Sequence, residues 1–186
     1  MARIAILGCG RFGSVVGGLL KDAGNDVTYW GKRPEAVKAI EGASCDIGKV
    51  LDNADCVFVA IAAQHAREVL EKYKSELLER PRRYVSLMKG IEVSTGMLMS
   101  EMILDVLGVS DKDIFALAGP NIARDIKMGD VIGMTIAGSA DTEKESLDKL
   151  VNLFVRNSQV RTEKSFDIVG IQLMSCLKNV YAIMTG

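Results

Sequence analysis

Short runs of consecutive apolar residues alternate along the chain with longer segments in which apolar residues recur at helical spacing. The first strand is predicted at residues 3–7 and the second at residues 26–30, and residues 14–23 between them have the spacing of an amphipathic helix. Runs that are almost wholly apolar are typical of strands buried on both faces of a parallel sheet. The pattern therefore predicts a strand, a helix and a parallel strand within about 30 residues, the size of a βαβ unit.

The same alternation continues along the rest of the sequence. Further strands are predicted at 56–61, 84–88, 114–118, 131–137 and 159–161, and further helices at 34–40, 65–78, 96–107, 142–156 and 166–184. No repeat, low-complexity tract or linker interrupts this order. Alternating strands and helices predict a doubly wound α/β sheet with helices on both faces.

Composition and charge exclude several classes of protein. The 186 residues, 48% of them hydrophobic, are enough for a sizeable core without disulfide or metal staples. The 23 basic and 24 acidic side chains give a formal charge of -1, so we expect no nucleic-acid partner and no attraction to an anionic membrane. No apolar run reaches the roughly 18 to 20 residues of a membrane helix, and no leader precedes the first strand, which predicts a cytoplasmic protein without membrane insertion. One histidine and four cysteines without a C-x-x-C pair predict reduced thiols and no metal site.

A glycine-rich turn joins the first predicted strand to the first predicted helix. Gly8, Gly10 and Gly13 form the pattern G-x-G-x-x-G at this point. In such a turn the first glycine permits the bend, the second lets the backbone approach a pyrophosphate, and the third lets helix and strand pack closely. The N-terminus of the helix then favours the phosphates. The turn predicts dinucleotide binding, and the alternative is a glycine-rich turn kept for packing alone.

The residues after the second predicted strand bear on which dinucleotide is bound. Fingerprints for NAD usually place an acidic residue about 20 residues after the glycines, where it bonds the ribose hydroxyls. Lys32 and Arg33 occupy that place here, and their cations suit the 2′-phosphate of NADP. Two solvated cations in a turn are the alternative interpretation. We therefore expect NAD(P) as cofactor, with a preference for NADP.

Three further motifs are polar or glycine-rich within apolar surroundings. Two of them follow predicted strands, at the sheet edge where ligands bind in open α/β folds, and the third lies inside the last helix. Their sequences are Lys89-Gly90-Ile91-Glu92, Gly119-Pro120-Asn121-Ile122-Ala123 and Lys178-Asn179-Val180. A lysine in so apolar a helix either is functional or extends its aliphatic stem to bring the charge to the surface.

Together these motifs resemble those of the NAD(P)-dependent glycerol-3-phosphate dehydrogenases. That family has a glycine fingerprint at its N-terminus, a K-G-I/L-E segment, a G-P-x-x-A-x-E/D segment and a helix with G-x-E-x-x-x-x-x-K-N-V-x-A-I-x-x-G. This sequence has all four in the same order, at Gly8–Gly13, Lys89–Glu92, Gly119–Asp125 and Gly170–Gly186. It departs from the family in having Gln172 where the glutamate stands and a shorter segment after the second strand.

The resemblance implies hydride transfer between NAD(P)H and dihydroxyacetone phosphate, which yields sn-glycerol 3-phosphate, a precursor of phospholipid headgroups. It implies that Lys178 is the catalytic acid/base and that Lys89 contacts both substrate and cofactor. The other expected site residues are Gly119, Asn121 and Asn179 on the substrate side and Gly8, Gly10, Arg11, Phe12, Gly13, Lys32, Arg33 and Ala123 on the cofactor side. These roles agree with the chemistry, because a ketone that accepts hydride develops a negative oxygen that a lysine ammonium stabilises and protonates.

The resemblance also implies a domain organisation. We expect a Rossmann-type cofactor domain over residues 1–165, with appended strands, and a long C-terminal helix over residues 166–186 that begins a helical substrate domain otherwise outside this sequence. That helical domain would carry the clamp for the substrate phosphate and the contacts of a homodimer. Two other functions stay open: a Rossmann reductase acting on another 2-keto or 3-hydroxy acid, and a non-catalytic nucleotide-binding module that regulates a partner.

Overall fold

The structure is a computed structural model that describes residues 1–119, 126 and 128–185, without the side chains of residues 179 and 185. Strands and helices alternate along these residues. The strands are β1 (Arg3–Leu7), β2 (Asp26–Trp30), β3 (Ala43–Ser44), β4 (Cys56–Val59), β5 (Arg83–Ser86), β6 (Ile114–Ala118), β7 (Ile132–Ala137) and β8 (Val160–Ser165). The α-helices are α1 (Arg11–Asp22), α2 (Pro34–Lys38), α3 (Ile47–Leu51), α4 (Ala63–Lys72), α5 (Lys74–Leu78), α6 (Met99–Leu107), α7 (Lys144–Asn152) and α8 (Ile168–Thr185).

All of these strands belong to one sheet, in the order β3-β2-β1-β4-β5-β6-β7-β8. Neighbouring strands are parallel from β3 to β6 and again between β7 and β8, whereas β6 and β7 are antiparallel. The predicted doubly wound Rossmann-type sheet with appended strands and a long C-terminal helix is thus confirmed. The sheet is mostly rather than wholly parallel, because apolar runs buried on both faces look the same in either strand direction.

The core consists of two apolar layers, one on each face of the sheet. Alternate side chains of β1 enter different layers, since successive residues of a strand point to opposite faces. Ile4 and Ile6 pack with Val16 of α1 and with Phe154, while Leu7 packs on the other face with Leu70 of α4 and Ile103 of α6. Burial on both faces explains why these strands are almost continuously apolar.

The element boundaries differ from the sequence-based prediction where elements are short. The helix predicted at 65–78 is two helices, which meet at Tyr73, a residue with φ -112° and ψ 22°. The two-residue strand β3 and the five-residue helix α3 were not predicted, because neither is long enough to display a period. Asp46 caps α3 by accepting a hydrogen bond from the Lys49 amide at 3.3 Å.

The last helix, α8, packs across β6 and β7 at one end of the sheet. Gln172 is 5% exposed and fixes α8 to the first turn of α6. Its Oε1 accepts from the Ser100 amide at 3.0 Å, and its Nε2 donates to Ser100 Oγ at 2.7 Å. Although α8 is mostly apolar, no helix within the described residues is long and apolar enough to cross a membrane.

Candidate functional site

The glycine turn between β1 and α1 is shaped by its first and third glycines. Gly8 has φ +127°, and a Cβ atom there would lie 2.5 Å from the Ala60 carbonyl oxygen. A Cβ on Gly13 would collide with the Gly8 carbonyl oxygen and would lie 2.9 Å from the Ala60 Cβ. Packing against the loop after β4 therefore explains both residues.

Gly10 has no such explanation. It precedes α1 as its N-cap with φ -76° and ψ 172°, a conformation open to any residue, and a Cβ there would meet no atom of the described residues within 4 Å. Among the described residues nothing fills the space beside Gly10 at the start of α1, and a side chain at Gly10 would occupy it. That geometry is the one a phosphate requires to reach the helix N-terminus, and it favours dinucleotide binding over a turn kept for packing alone.

A cleft of about 500 Å³ extends from the glycine turn across the ends of β2 and β4. Lys32 and Arg33, the two cations predicted to bind the cofactor, line this cleft, and both are exposed. The cleft is also lined by His65 and Glu68 of α4, and Glu68 Oε1 lies 3.9 Å from Lys32 Nζ. Glu68 was not predicted as a site residue. The periodicity of α4 was the available signal, because residues 66, 69 and 70 are its buried face.

The two lysines singled out in the sequence meet at the carboxyl edge of β5 and β6. Lys89 follows β5 and is accessible to solvent, while Lys178 extends from α8 and is half-buried. Lys178 Nζ donates to the Gly119 carbonyl oxygen at 3.4 Å. Partial desolvation, and then a hydrogen bond with Lys178 and its like charge, lowers the pKa of Lys89 from 10.5 to about 8. The two lysine side chains therefore place neighbouring cationic groups beside the sheet, and their like charge favours the loss of a proton from Lys89.

The lysine pair is joined to the glycine turn by an aromatic contact. Lys89 Nζ lies 5.0 Å from the ring centroid of Phe12, which belongs to the first turn of α1. This is the distance of a cation–π interaction. Phe12 therefore connects the first turn of α1 to the lysine pair, and Arg11 beside it starts α1 as an exposed residue.

A second cavity, of about 220 Å³, is lined in part by Lys178. Its walls come from the end of β6, from β7 and from α8, and the residues are Ala118, Gly119, Thr135, Ile171, Met174, Ser175 and Lys178. Two predicted site residues, Asn121 and Ala123, lie outside the described residues, as does the side chain of Asn179. The structure thus brings together Lys89, Lys178, Gly119 and the glycine turn.

Comparison with known proteins gives a consistent result. The family described as the NAD-dependent glycerol-3-phosphate dehydrogenase N-terminus matches residues 42–144. A glycerol-3-phosphate dehydrogenase [NAD(P)+] of Thermobifida fusca is 33% identical over 205 residues, covering 100% of this chain and 60% of that protein. One of Pseudomonas fluorescens is 34% identical over 201 residues, covering 98% of this chain and 57% of the relative.

Solved structures show the same fold. The glycerol-3-phosphate dehydrogenase of Coxiella burnetii superposes with a TM-score of 0.82 at 21% identity, covering 97% of this chain and 58% of that one. A pyrroline-5-carboxylate reductase of the same organism reaches a TM-score of 0.70 at 16% identity, covering 98% of this chain and 67% of that one. The chain spans about 60% of the length of the curated relatives that it matches.

Proposed function

The chain belongs to the family of the NAD-dependent glycerol-3-phosphate dehydrogenase N-terminus, and on that premise we propose that it carries the cofactor site and the catalytic lysine of such an enzyme. The proposed reaction is reversible hydride transfer between NAD(P)H and dihydroxyacetone phosphate, which gives sn-glycerol 3-phosphate. The observation that carries the proposal is the Lys89–Lys178 pair, which stands beside the glycine turn and at the edge where β5 and β6 end.

The glycine turn fits the phosphates of a dinucleotide. The free space at Gly10, with the N-terminus of α1 behind it, suits the pyrophosphate, and Lys32 and Arg33 suit the adenosine end of the cleft. We propose NADP as the preferred cofactor, because a 2′-phosphate gains charge-assisted hydrogen bonds from those two cations and a ribose hydroxyl does not.

The lysine pair supports the proposed chemistry. The bound nicotinamide supplies the hydride, and the chain's own residues then have to neutralise and protonate the carbonyl oxygen. We assign the protonation to Lys178, whose Nζ gives a proton to that oxygen, and the electrostatic support to Lys89. Because the two side chains are neighbours, Lys89, with its pKa of about 8, passes a proton to Lys178 after Lys178 has given its own to the carbonyl oxygen. In this assignment Gly119, Asn121 and Asn179 face the substrate and Ala123 the cofactor.

The division of the chain is also a proposal. We assign residues 1–165 to the cofactor domain and residues 166–186 to the start of a helical substrate domain, through which the protein forms a homodimer. Support comes from the exposed apolar side chains along α8, which include Val169, Leu173, Leu177, Val180 and Ile183. Apolar surface of this kind marks a contact with further protein. All four cysteines are free thiols, which fits a reducing compartment such as the cytoplasm.

The proposed reaction is tested with the full-length protein that contains this chain. NADPH oxidation is measured with dihydroxyacetone phosphate, and in parallel with ketopantoate as a keto acid that other reductases of this fold use. We expect turnover with the first substrate only. Turnover with ketopantoate alone would assign the protein to a different reductase class, and NADPH binding without turnover of either would indicate a regulatory module.

A further inference from the structure

Charged side chains connect the loop that follows Lys89 to helix α4. Arg67 of α4 contacts Glu92 at two points, with Nε 2.8 Å from Oε1 and Nη2 2.9 Å from Oε2. The Glu92 side chain is only 10% exposed, and Thr95 Oγ1 donates a further hydrogen bond to its Oε2 at 2.5 Å. A two-point arginine–carboxylate contact fixes orientation as well as distance. Glu92 is therefore held in one place and one direction.

The backbone of Glu92 also closes the loop on itself. Its amide donates to the Met97 carbonyl oxygen at 2.8 Å, and its carbonyl oxygen accepts from the Gly96 amide at 2.8 Å. Ile91 and Leu98 pair as an antiparallel bridge just outside these bonds. The segment from residue 91 to residue 98 is thus a closed unit, and Arg67 ties this unit to α4.

The start of the loop has its own anchor on a different helix. Gly90 has φ +124°, a conformation that favours glycine, and its amide donates to Cys176 Sγ of α8 at 3.2 Å. Lys89 precedes this residue directly. The loop that carries Lys89 is consequently held from two sides, by α8 through Cys176 and by α4 through the pair of Arg67 and Glu92.

We propose that Arg67 and Glu92 are positioning residues that hold Lys89 against Lys178. Only two residues separate Glu92 from Lys89, so a shift of the closed unit moves the Lys89 backbone with it. A misplacement of about 1 Å at a reacting group suffices to lower a rate about 100-fold. The proposal rests on the proposed function for the use of the lysine pair, whereas the geometry of the loop is independent of it.

The pKa of Lys89 reports on the position of the loop that carries it. Within the described residues, the groups that face its ammonium are Lys178 on α8 and the Phe12 ring on α1, and the Glu92 carboxylate on its own loop is neutralised by Arg67. Partial desolvation and the neighbouring Lys178 lower the pKa of Lys89 to about 8. Both causes weaken when the loop is released, because the amine then returns to water and moves away from the second cation. Release of the loop therefore raises the pKa of Lys89 toward its usual value.

The experiment measures the amine itself in the full-length protein without substrate. The rate at which acetic anhydride acylates Lys89 is followed across pH by peptide mass spectrometry, because only the unprotonated amine reacts. Glu92→Gln, which keeps the side-chain volume, and Arg67→Ala both remove the charged pair. Asp105→Asn is the matched control, since Asp105 lies on α6 outside the loop and its Oδ2 is 2.7 Å from Arg67 Nη1, closer than the Glu71 carboxylate at 3.7 Å.

We expect wild type and Asp105→Asn to acylate with a midpoint near pH 8, and the Glu92 and Arg67 variants with a midpoint about one pH unit higher or more. The same two variants should lose about 10- to 100-fold in kcat/KM for dihydroxyacetone phosphate, with NADPH affinity unchanged. An unshifted midpoint in folded Glu92→Gln protein would overturn the proposal, and so would an equal shift in Asp105→Asn. Wild-type protein that does not turn over dihydroxyacetone phosphate would instead contradict the proposed function, and the acylation result would still decide the role of Arg67 and Glu92.

Discussion

Substitution of single glycines in the turn after β1 should separate binding from folding. In Gly10→Ala the new methyl group enters a space in which the part of the chain that the structure describes has no atom within 4 Å. In Gly13→Ala the methyl group meets the Gly8 carbonyl oxygen and lies 2.9 Å from the Ala60 Cβ. The same change in size, three residues apart, therefore removes room for a ligand in one variant and disturbs protein packing in the other.

The magnitudes follow from these surroundings. For Gly10→Ala, a lower entropy of the unfolded chain stabilises by about 0.4 to 1 kcal/mol, and the loss of glycine at the N-cap costs a comparable amount. These effects offset, so the free energy of unfolding should change by less than about 1 kcal/mol. Gly13→Ala overpacks the helix–strand contact at a cost of about 1 to 3 kcal/mol, of which alanine's helix propensity returns about 1 kcal/mol or less.

Cofactor binding should respond in the opposite order. The Gly10→Ala methyl group keeps the phosphates from the turn amides, and each hydrogen bond to a charged group contributes about 1.5 to 3 kcal/mol. We therefore expect NADPH to bind about 10- to 100-fold more weakly to Gly10→Ala. Calorimetric titration gives the affinity and urea unfolding gives the stability of each variant. Wild-type affinity in Gly10→Ala would show that phosphates do not approach this turn, and a larger loss of stability in Gly10→Ala than in Gly13→Ala would refute the role of Gly13 in packing.

Three further outcomes are expected. Lys178→Ala should lower kcat with dihydroxyacetone phosphate by at least about 100-fold while the NADPH dissociation constant stays unchanged, and near-wild-type turnover would contradict its role as proton donor. Replacing Lys32 and Arg33 by alanine should weaken NADPH binding by at least about tenfold and leave NADH binding unchanged, which calorimetry with both cofactors decides. The pKa of Lys89 is lowered to about 8 in the folded state and stays near 10.5 in the unfolded state, so the unfolded chain binds more protons between pH 8 and 10.5. The free energy of unfolding should therefore rise with pH across that window. Urea unfolding of wild type against Lys89→Met isolates this rise, which the variant should lack.

The fold was predictable where local pattern and burial coincide. The strands at 3–7, 26–30 and 114–118 have the predicted bounds, because short apolar runs with few alternatives form them. The reversed direction of β7 was not predictable, since a strand buried on both faces carries the same letters in either direction. The elements β3 and α3 escaped prediction because two and five residues show no period.

The candidate site was predictable to the extent that its residues are unusual in their sequence context. Glycines between a strand and a helix, and lysines in apolar segments, stand out by type. Arg67 and Glu68 do not stand out, because charged residues on an amphipathic helix are normally solvated. Only the packing of α4 gives them distinct neighbours, with Arg67 directed to the loop after β5 and Glu68 to the cleft beside Lys32.

The strand order explains how the two halves of the site come together. The order reverses between β1 and β4, and the loops after β1, β2 and β4 enclose the cofactor cleft at that switch point. The loop after β5 brings Lys89 to the same edge, but the sheet does not supply Lys178. That residue comes from α8, whose place is fixed by the buried Gln172 against α6 and by Cys176 against the loop of Lys89. The distance between the two lysines therefore depends on helix packing and on one loop, and this dependence is the basis for the proposal that Arg67 and Glu92 position Lys89.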